Sequence, residues 1–291
     1  MRIGIVQGAL DAPDADIFAL AAELGFEGLE LLFTEKPESD PLWSTAGRIA
    51  VLARAHASNV AIPSLMLSAL NRGGLANDDA QLQEQARRLV RGVIEAAPEL
   101  RSRVILVPFF FRAHISDAAA MARTVAGLRE LCPEAEHAGL VLAYEGQLPA
   151  TEIIRLLNAV GSPALRCYYD VGNAVWLGFD PVAELRQLGR ERIAKVHFKE
   201  IKGEGSGALN DVHLGEGRVP WSTIIPALRD LGYDDWIVLE TRTQPDHRSA
   251  AAANLATTRR LLPADRRQQR QEALLCTTIL ASLGGAWPML S

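Results

Sequence analysis

Short apolar runs alternate with helical periodicities along most of the chain. Ile3 to Val6 opens the series, and residues 14–24 then place Ile17, Leu20, Ala21 and Leu24 on one helical face that Gly25 ends. Residues 28–33 form the second run, followed by a polar loop with Pro37 and Pro41, a helix over residues 44–57 and a third run over residues 60–67. Asn71-Arg72-Gly73-Gly74 reads as a flexible loop. Asn77 or Asp78 supplies an N-cap for a long helix that ends near Ala97, where Pro98 stops it, and residues 104–109 give a fourth strand. Ser116 or Asp117 caps the next helix. Four more runs, residues 140–144, 166–169, 193–196 and 236–239, follow with helical segments between them.

Strands that alternate with helices of this length predict parallel pairing through crossover helices. Eight of each predict an α/β fold closed as a (β/α)8 TIM barrel, one domain over residues 1–262. A doubly wound open sheet is the alternative, but Gln7-Gly8-Ala9-Leu10 stands where its glycine-rich G-x-G-x-x-G turn belongs. No internal repeat, low-complexity tract or linker marks a second domain. A C-terminal tail, residues 263–291, departs from the pattern: Arg266, Arg267 and Arg270 precede Ala273, Leu274, Leu275, Ile279, Leu280 and Leu283, an amphipathic helical spacing. The tail reads as an extra helix packed on the barrel or on a partner subunit, partly disordered after Leu283.

Composition narrows the function more than the fold. A formal charge of −5 over 291 residues leaves no broad basic field for nucleic acid, so small-molecule chemistry is the starting point. Cys132, Cys167 and Cys276 have neither metal-binding nor redox spacing, which predicts free thiols and a cytoplasmic, reducing setting. Ile3 follows Met1 too closely for the n- and h-regions of a signal peptide. The apolar run after Ala273 is too short for a membrane span of about 20 residues.

The chemistry gathers at the ends of runs five to eight. Glu145, Asp170, His197 and Glu240 each stand where an apolar run gives out, and a barrel brings such ends to one mouth. Asp170 is the clearest: Tyr168-Tyr169 lead into it, Gly172-Asn173 end the strand, and Asp180-Pro181 start the next helix. Any one of the four alone reads equally as a strand-end residue satisfying loop amides or an ion pair. Together they make an oxygen-rich set with one imidazole, suited to one divalent metal ion, Mn2+ favoured over Mg2+, Co2+ or Zn2+. Such a site supports proton transfer next to a carbonyl, because the ion stabilises the charge that develops on oxygen.

Tyr144-Glu145-Gly146, Asp170-Val171-Gly172-Asn173, Val196-His197-Phe198-Lys199-Glu200, Leu214-Gly215-Glu216-Gly217 with Val219-Pro220-Trp221, and Leu239-Glu240 resemble the xylose-isomerase-like barrels. That superfamily includes sugar-phosphate isomerases and epimerases, ketose 3-epimerases, hydroxypyruvate isomerases and inosose-processing enzymes. The resemblance covers about residues 1–262 and is specific for the superfamily, not for a substrate. It implies that Glu145, Asp170, His197 and Glu240 bind the metal and that Glu145 and Glu240 flank the substrate as acid and base. The implied activity is isomerisation or epimerisation of a small ketose or keto-acid sugar. It also allows a homo-oligomer.

Asn173 falls where many relatives carry a histidine, so it is a candidate substrate contact without a titratable group. Lys199, on the same strand side as His197, offers a positive charge to a hydroxyl or phosphate, or is a solvated rim lysine. His213 and Glu216 are further candidates, the first entering the pocket and the second orienting the ligands. Glu30 and Arg242 read as structural ion pairs. His114 and Phe109-Phe110-Phe111 read as packing under a loop, and Phe33 with Trp43 as an apolar wall. Two other reactions stay open: loss of water, as from a keto-inositol or dehydroshikimate, and sugar binding without catalysis. Apurinic endonucleases share the superfamily but need a three-metal cluster with additional histidines at the strand ends; of the six histidines present here, none ends the second or third run.

Overall fold

The computed structural model describes residues 1–10, 16–34, 40–202, 212–241 and 246–262. Eight parallel strands run β1 Arg2–Val6, β2 Gly28–Leu32, β3 Leu65–Met66, β4 Val104–Phe109, β5 Val141–Gly146, β6 Leu165–Asp170, β7 Ile193–Phe198 and β8 Trp236–Leu239. They pair in sequence order, and β8 returns to β1 to close the barrel. The (β/α)8 expectation therefore holds.

Between the strands lie seven crossover helices, α2 Ile17–Leu24, α3 Thr45–Ala57, α4 Ala80–Ala96, α5 Ala118–His137, α6 Ala150–Val160, α8 Pro181–Leu188 and α9 Trp221–Asp230, and an eighth helix, α10 His247–Leu261, follows β8. Two short helices were not expected: α1 Gln7–Leu10 directly after β1, and α7 Val171–Trp176 directly after β6. Gly25 ends α2 in the left-handed conformation, its N–H bonded to Ala21 and Ala22 carbonyls. The cap of α4 is Asp79, one residue past the expected pair, with its carboxylate accepting from Gln81 and Leu82 N–H.

The third run is longer than the strand it forms. Pro63 has no N–H to donate, so pairing is reduced to an isolated Gly28 to Ala61 bridge before β3 begins. Asn71 and Arg72 end a 3-10 turn, Ser68–Arg72, rather than lying in an open loop.

Two apolar layers surround the strands. Leu29, Leu65, Leu142, Ile224 and their neighbours fill the space under the helices. Inside the barrel, Val6, Met66, Leu106, Ala143, Tyr168 and Val238 pack into a solid plug, so the mouth above has a floor. Among the described residues no helix is long and apolar enough to cross a membrane. Expectations for Arg242, Cys276 and the tail 263–291 fall outside the described residues.

Candidate metal centre

Side chains alternate along a strand, and that parity decides which residues reach the mouth. On β6 it turns Tyr168 and Asp170 inward; on β7 it does the same for His197, directly beside Asp170 in the register. Glu145 stands near the end of β5 and Glu240 just after β8, where its N–H bonds the Phe198 carbonyl at 3.0 Å. One ligand atom from each of Glu145, Asp170, His197 and Glu240 falls within 4.8 Å of the others. The four predicted ligands are thus brought together.

Each ligand atom is held by the local fold. Asp170 is the N-cap of α7: its Oδ1 accepts the Asn173 N–H at 2.9 Å, which fixes the carboxylate and leaves Oδ2 facing the cluster. That Oδ2 is buried and accepts no hydrogen bond. His197 is fully buried, and its Nε2–H donates to Glu30 Oε1 at 3.2 Å, so Nδ1 is directed at Glu145 Oε1 at 3.0 Å and Glu240 Oε2 at 3.5 Å. Glu30 in turn accepts from the Ser64 hydroxyl and from Tyr168 at 2.7 Å, and the Tyr168 ring lies against the imidazole with centroids 4.2 Å apart. An outer carboxylate that fixes the tautomer and angle of a histidine is the arrangement metal-ligating histidines use.

The electrostatics of the cluster ask for a cation. Burial raises the Glu145 pKa, against the pull of His197, and raises that of Asp170 well above the carboxylate range, against Lys199. For His197, burial disfavours the imidazolium, but Glu30, Glu145 and Glu240 outweigh it and hold its pKa well above the usual value. Without a metal, protons must neutralise carboxylates packed this closely. Three carboxylate oxygens, among them the buried Asp170 Oδ2 that has no donor, and one imidazole nitrogen fit a divalent ion, and among the described residues no thiolate joins them.

The other candidates separate. Lys199 is buried rather than a solvated rim lysine: its ammonium donates to Glu240 Oε2 at 3.3 Å and lies 4.0 Å from Asp170 Oδ2. Asn173 is buried on the first turn of α7. His213 is half-buried with Nδ1 lacking a hydrogen bond, whereas Glu216 is exposed on the following turn. Phe109 stacks on Tyr144 at 5.1 Å, but Phe111 points outward, 81% exposed. The packing expectation fails for Phe111 because its left-handed backbone, φ +51°, starts a 3-10 turn that swings the ring away. Phe33 and Trp43 do meet, edge to face at 5.0 Å.

Sequence reasoning missed two organisers. Glu30 was expected in an ion pair, and its partner is His197 itself; its signal was a lone acid at an inward position of an apolar run. Glu200 received no role. Its buried carboxylate accepts from Gly215 N at 2.8 Å, Val219 N at 3.0 Å and Trp221 Nε1 at 2.6 Å, so it ties the loop after β7 to the start of α9. Only an acid holds three such donors at once.

Gly172 explains how α7 sits so close to β7. A Cβ there would lie 2.5 Å from the Lys199 carbonyl oxygen, a backbone atom that cannot swing aside. Gly172→Ala is expected to destabilise the fold by about 1–3 kcal/mol, the usual range for overpacking, and to weaken metal binding by moving Asp170 from Lys199. Paired thermal melts and metal titrations check this; an unchanged affinity would show that the close approach does not set the cluster.

Comparison with known proteins agrees with the geometry. The xylose isomerase-like TIM barrel family matches residues 18–261. A 2-epi-5-epi-valiolone 7-phosphate 2-epimerase of Actinoplanes sp. is 34% identical over 201 residues, 68% of this chain and 72% of that protein. A putative L-ribulose-5-phosphate 3-epimerase of Escherichia coli K12 is 30% identical over 260 residues, 84% of this chain and 89% of that one. Among solved structures, the D-psicose 3-epimerase of Clostridium cellulolyticum H10, crystallised with D-tagatose, superposes with a TM-score of 0.74 at 20% identity, covering 91% of this chain and all of the other.

Proposed function

Because the chain belongs to the xylose isomerase-like TIM barrel family, we propose that it is a divalent-metal-dependent epimerase of a small phosphorylated ketose. It inverts the carbon next to the carbonyl by moving one proton. The observation that carries this reading is the cluster itself, in which two of the four ligands, Glu145 and Glu240, come from strands on either side of the β6–β7 pair that supplies Asp170 and His197. The sugar-phosphate epimerases among its relatives support the substrate class.

Glu145, Asp170, His197 and Glu240 would hold the ion. Once bound, it supplies Lewis-acid polarisation of the substrate carbonyl. A carboxylate has two oxygens, so Glu145 and Glu240 each have one to spare for the substrate. Lys199 donates to Glu240, a contact that favours a charged carboxylate and suits a base, while burial favours the protonated form of Glu145 and suits an acid. In one direction Glu240 takes the proton as the C–H bond breaks, and Glu145 delivers one to the opposite face; in the other the roles exchange. The apolar floor under the mouth keeps bulk water from the strand interior.

Incubation with Mn2+ and L-ribulose 5-phosphate in D2O tests the reaction. Deuterium is expected at the carbon next to the carbonyl in the product epimer, with no loss of water by mass spectrometry. A dehydrated product would instead establish the dehydratase reading. Neither exchange nor conversion, with this and the other ketose phosphates, would leave the epimerase reading without support.

A further inference from the structure

We propose that the N-terminal end of the barrel, opposite the metal-ligand cluster, binds a phosphate-bearing small molecule. A cavity of about 620 Å3 opens there between the starts of β1, β4, β7 and β8 and the ends of α3 and α4. Its wall carries Arg2, Arg101, Arg103 and Lys195 and no aspartate or glutamate, although the chain as a whole is acidic at −5. Lys195 is paired with Asp235 at 2.6 Å and Arg2 with Glu27 at 3.4 Å, so the uncompensated charge at the hollow is that of Arg101 and Arg103, which an anion between them would neutralise.

The cations are differently placed for the task. The Arg2 guanidinium is braced 3.9 Å above the Trp236 ring, which keeps its plane fixed. Lys195 is buried at the back, with Asp235 as its partner at 2.6 Å. Arg101 and Arg103 are exposed, and their side chains make no hydrogen bond or ion pair with any described residue. Planar guanidinium groups present paired N–H donors that match phosphate oxygens two at a time. The remaining wall, with Leu52, Ile62 and Leu100, is apolar and suits the organic part of a metabolite better than a bare ion.

Backbone conformation points the same way. Of the three non-glycine residues with positive φ among those described, two line this cavity, Asn59 at +53° and Arg101 at +55°. Both follow helices, at positions where glycine is usual and asparagine is tolerated; a long L side chain is disfavoured there. An arginine held in that conformation at a cavity rim is paired with a use for its side chain. His56 and Arg101 also complement the negative ends of α3 and α4. That reading leaves Arg103 unexplained, because it lies beside β4 and not at a helix end.

The test is a calorimetric titration of the full-length, Mg2+-loaded protein with inorganic phosphate at low ionic strength. Saturable binding is expected, weakened at least about tenfold in the Arg101→Gln, Arg103→Gln double variant, as lost charge-assisted hydrogen bonds imply, and retained in Lys199→Gln. Both arginines are exposed, and an unchanged melting temperature will confirm that the double variant folds. The proposal is overturned by absence of saturable binding, by equal binding in the double variant, or by loss confined to Lys199→Gln, which would place the phosphate at the mouth. It does not depend on the proposed reaction, since epimerase activity is not part of the measurement.

Discussion

Glu240→Gln is expected to lower turnover at least about 100-fold, the lower end of what a positioned general base contributes. Glutamine keeps an oxygen of the same reach, so the substitution removes the proton acceptor while retaining one atom able to touch the ion. Glu145→Gln should do the same. The two variants are not expected to behave identically in D2O: if each carboxylate serves one face, removing either still lets the other exchange a proton on its own side. Solvent exchange without epimerisation in one direction is therefore the informative signature, read by NMR of the recovered substrate. Near-normal turnover in both variants would end the two-carboxylate mechanism and turn attention to Lys199, the other ionisable group in contact with the cluster.

Saturating the metal-free protein with Mn2+ is expected to stabilise it by about 2.7 kcal/mol when free metal is 100 times its dissociation constant. For a chain of this size that amounts to roughly 4–5 °C in melting temperature. The physical source is local: burial disfavours the charged forms of Glu145 and Asp170, and a bound cation offsets that cost. His197→Ala should abolish most of the gain, since it removes the nitrogen ligand and leaves Glu30 without its imidazole partner. Glu30→Gln offers the sharper comparison. It keeps every metal ligand and changes the group that faces Nε2, Ser64 and Tyr168, and outer carboxylates of this kind are worth 10–100-fold in metal affinity. A melting temperature unmoved by Mn2+ in protein shown to be metal-free would argue against a metal centre at these residues.

Which parts of this were legible in the chain follows from the range of the forces involved. Hydrophobic alternation and helix punctuation are local, so the eight strands, the helix that follows each of them and the capping residues near Gly25, Asp117 and Asp180 could be read directly. Strand parity is local too, and with a closed barrel it was enough to bring Glu145, Asp170, His197 and Glu240 to one mouth. Hydrophobicity misassigned two places where another local signal, a proline or a capping carboxylate, set the outcome. Val60 to Leu67 is apolar enough for a long strand, yet Pro63 breaks its ladder. Gly172 and Asn173 look like a turn, but the Asp170 carboxylate captures the Asn173 N–H and starts a helix instead.

By itself, then, the sequence determined the barrel, the end of it where Glu145, Asp170, His197 and Glu240 meet, and that these four could hold an ion, because each depends on spacing along one strand or helix. Only the tertiary structure decided how those residues are held. Glu30 reaches His197 across 167 positions, Lys199 reaches Glu240 across 41, and Glu200 gathers donors from a loop 15 to 21 residues away. Nothing in the identity of a glutamate tells which imidazole or amide will lie 3 Å from it. The cations of the N-terminal face belong to the same class: Arg2, Arg101, Arg103 and Lys195 are scattered over nearly two hundred residues of an acidic chain. Closure of the sheet, which pairs β8 with β1, is what makes them neighbours.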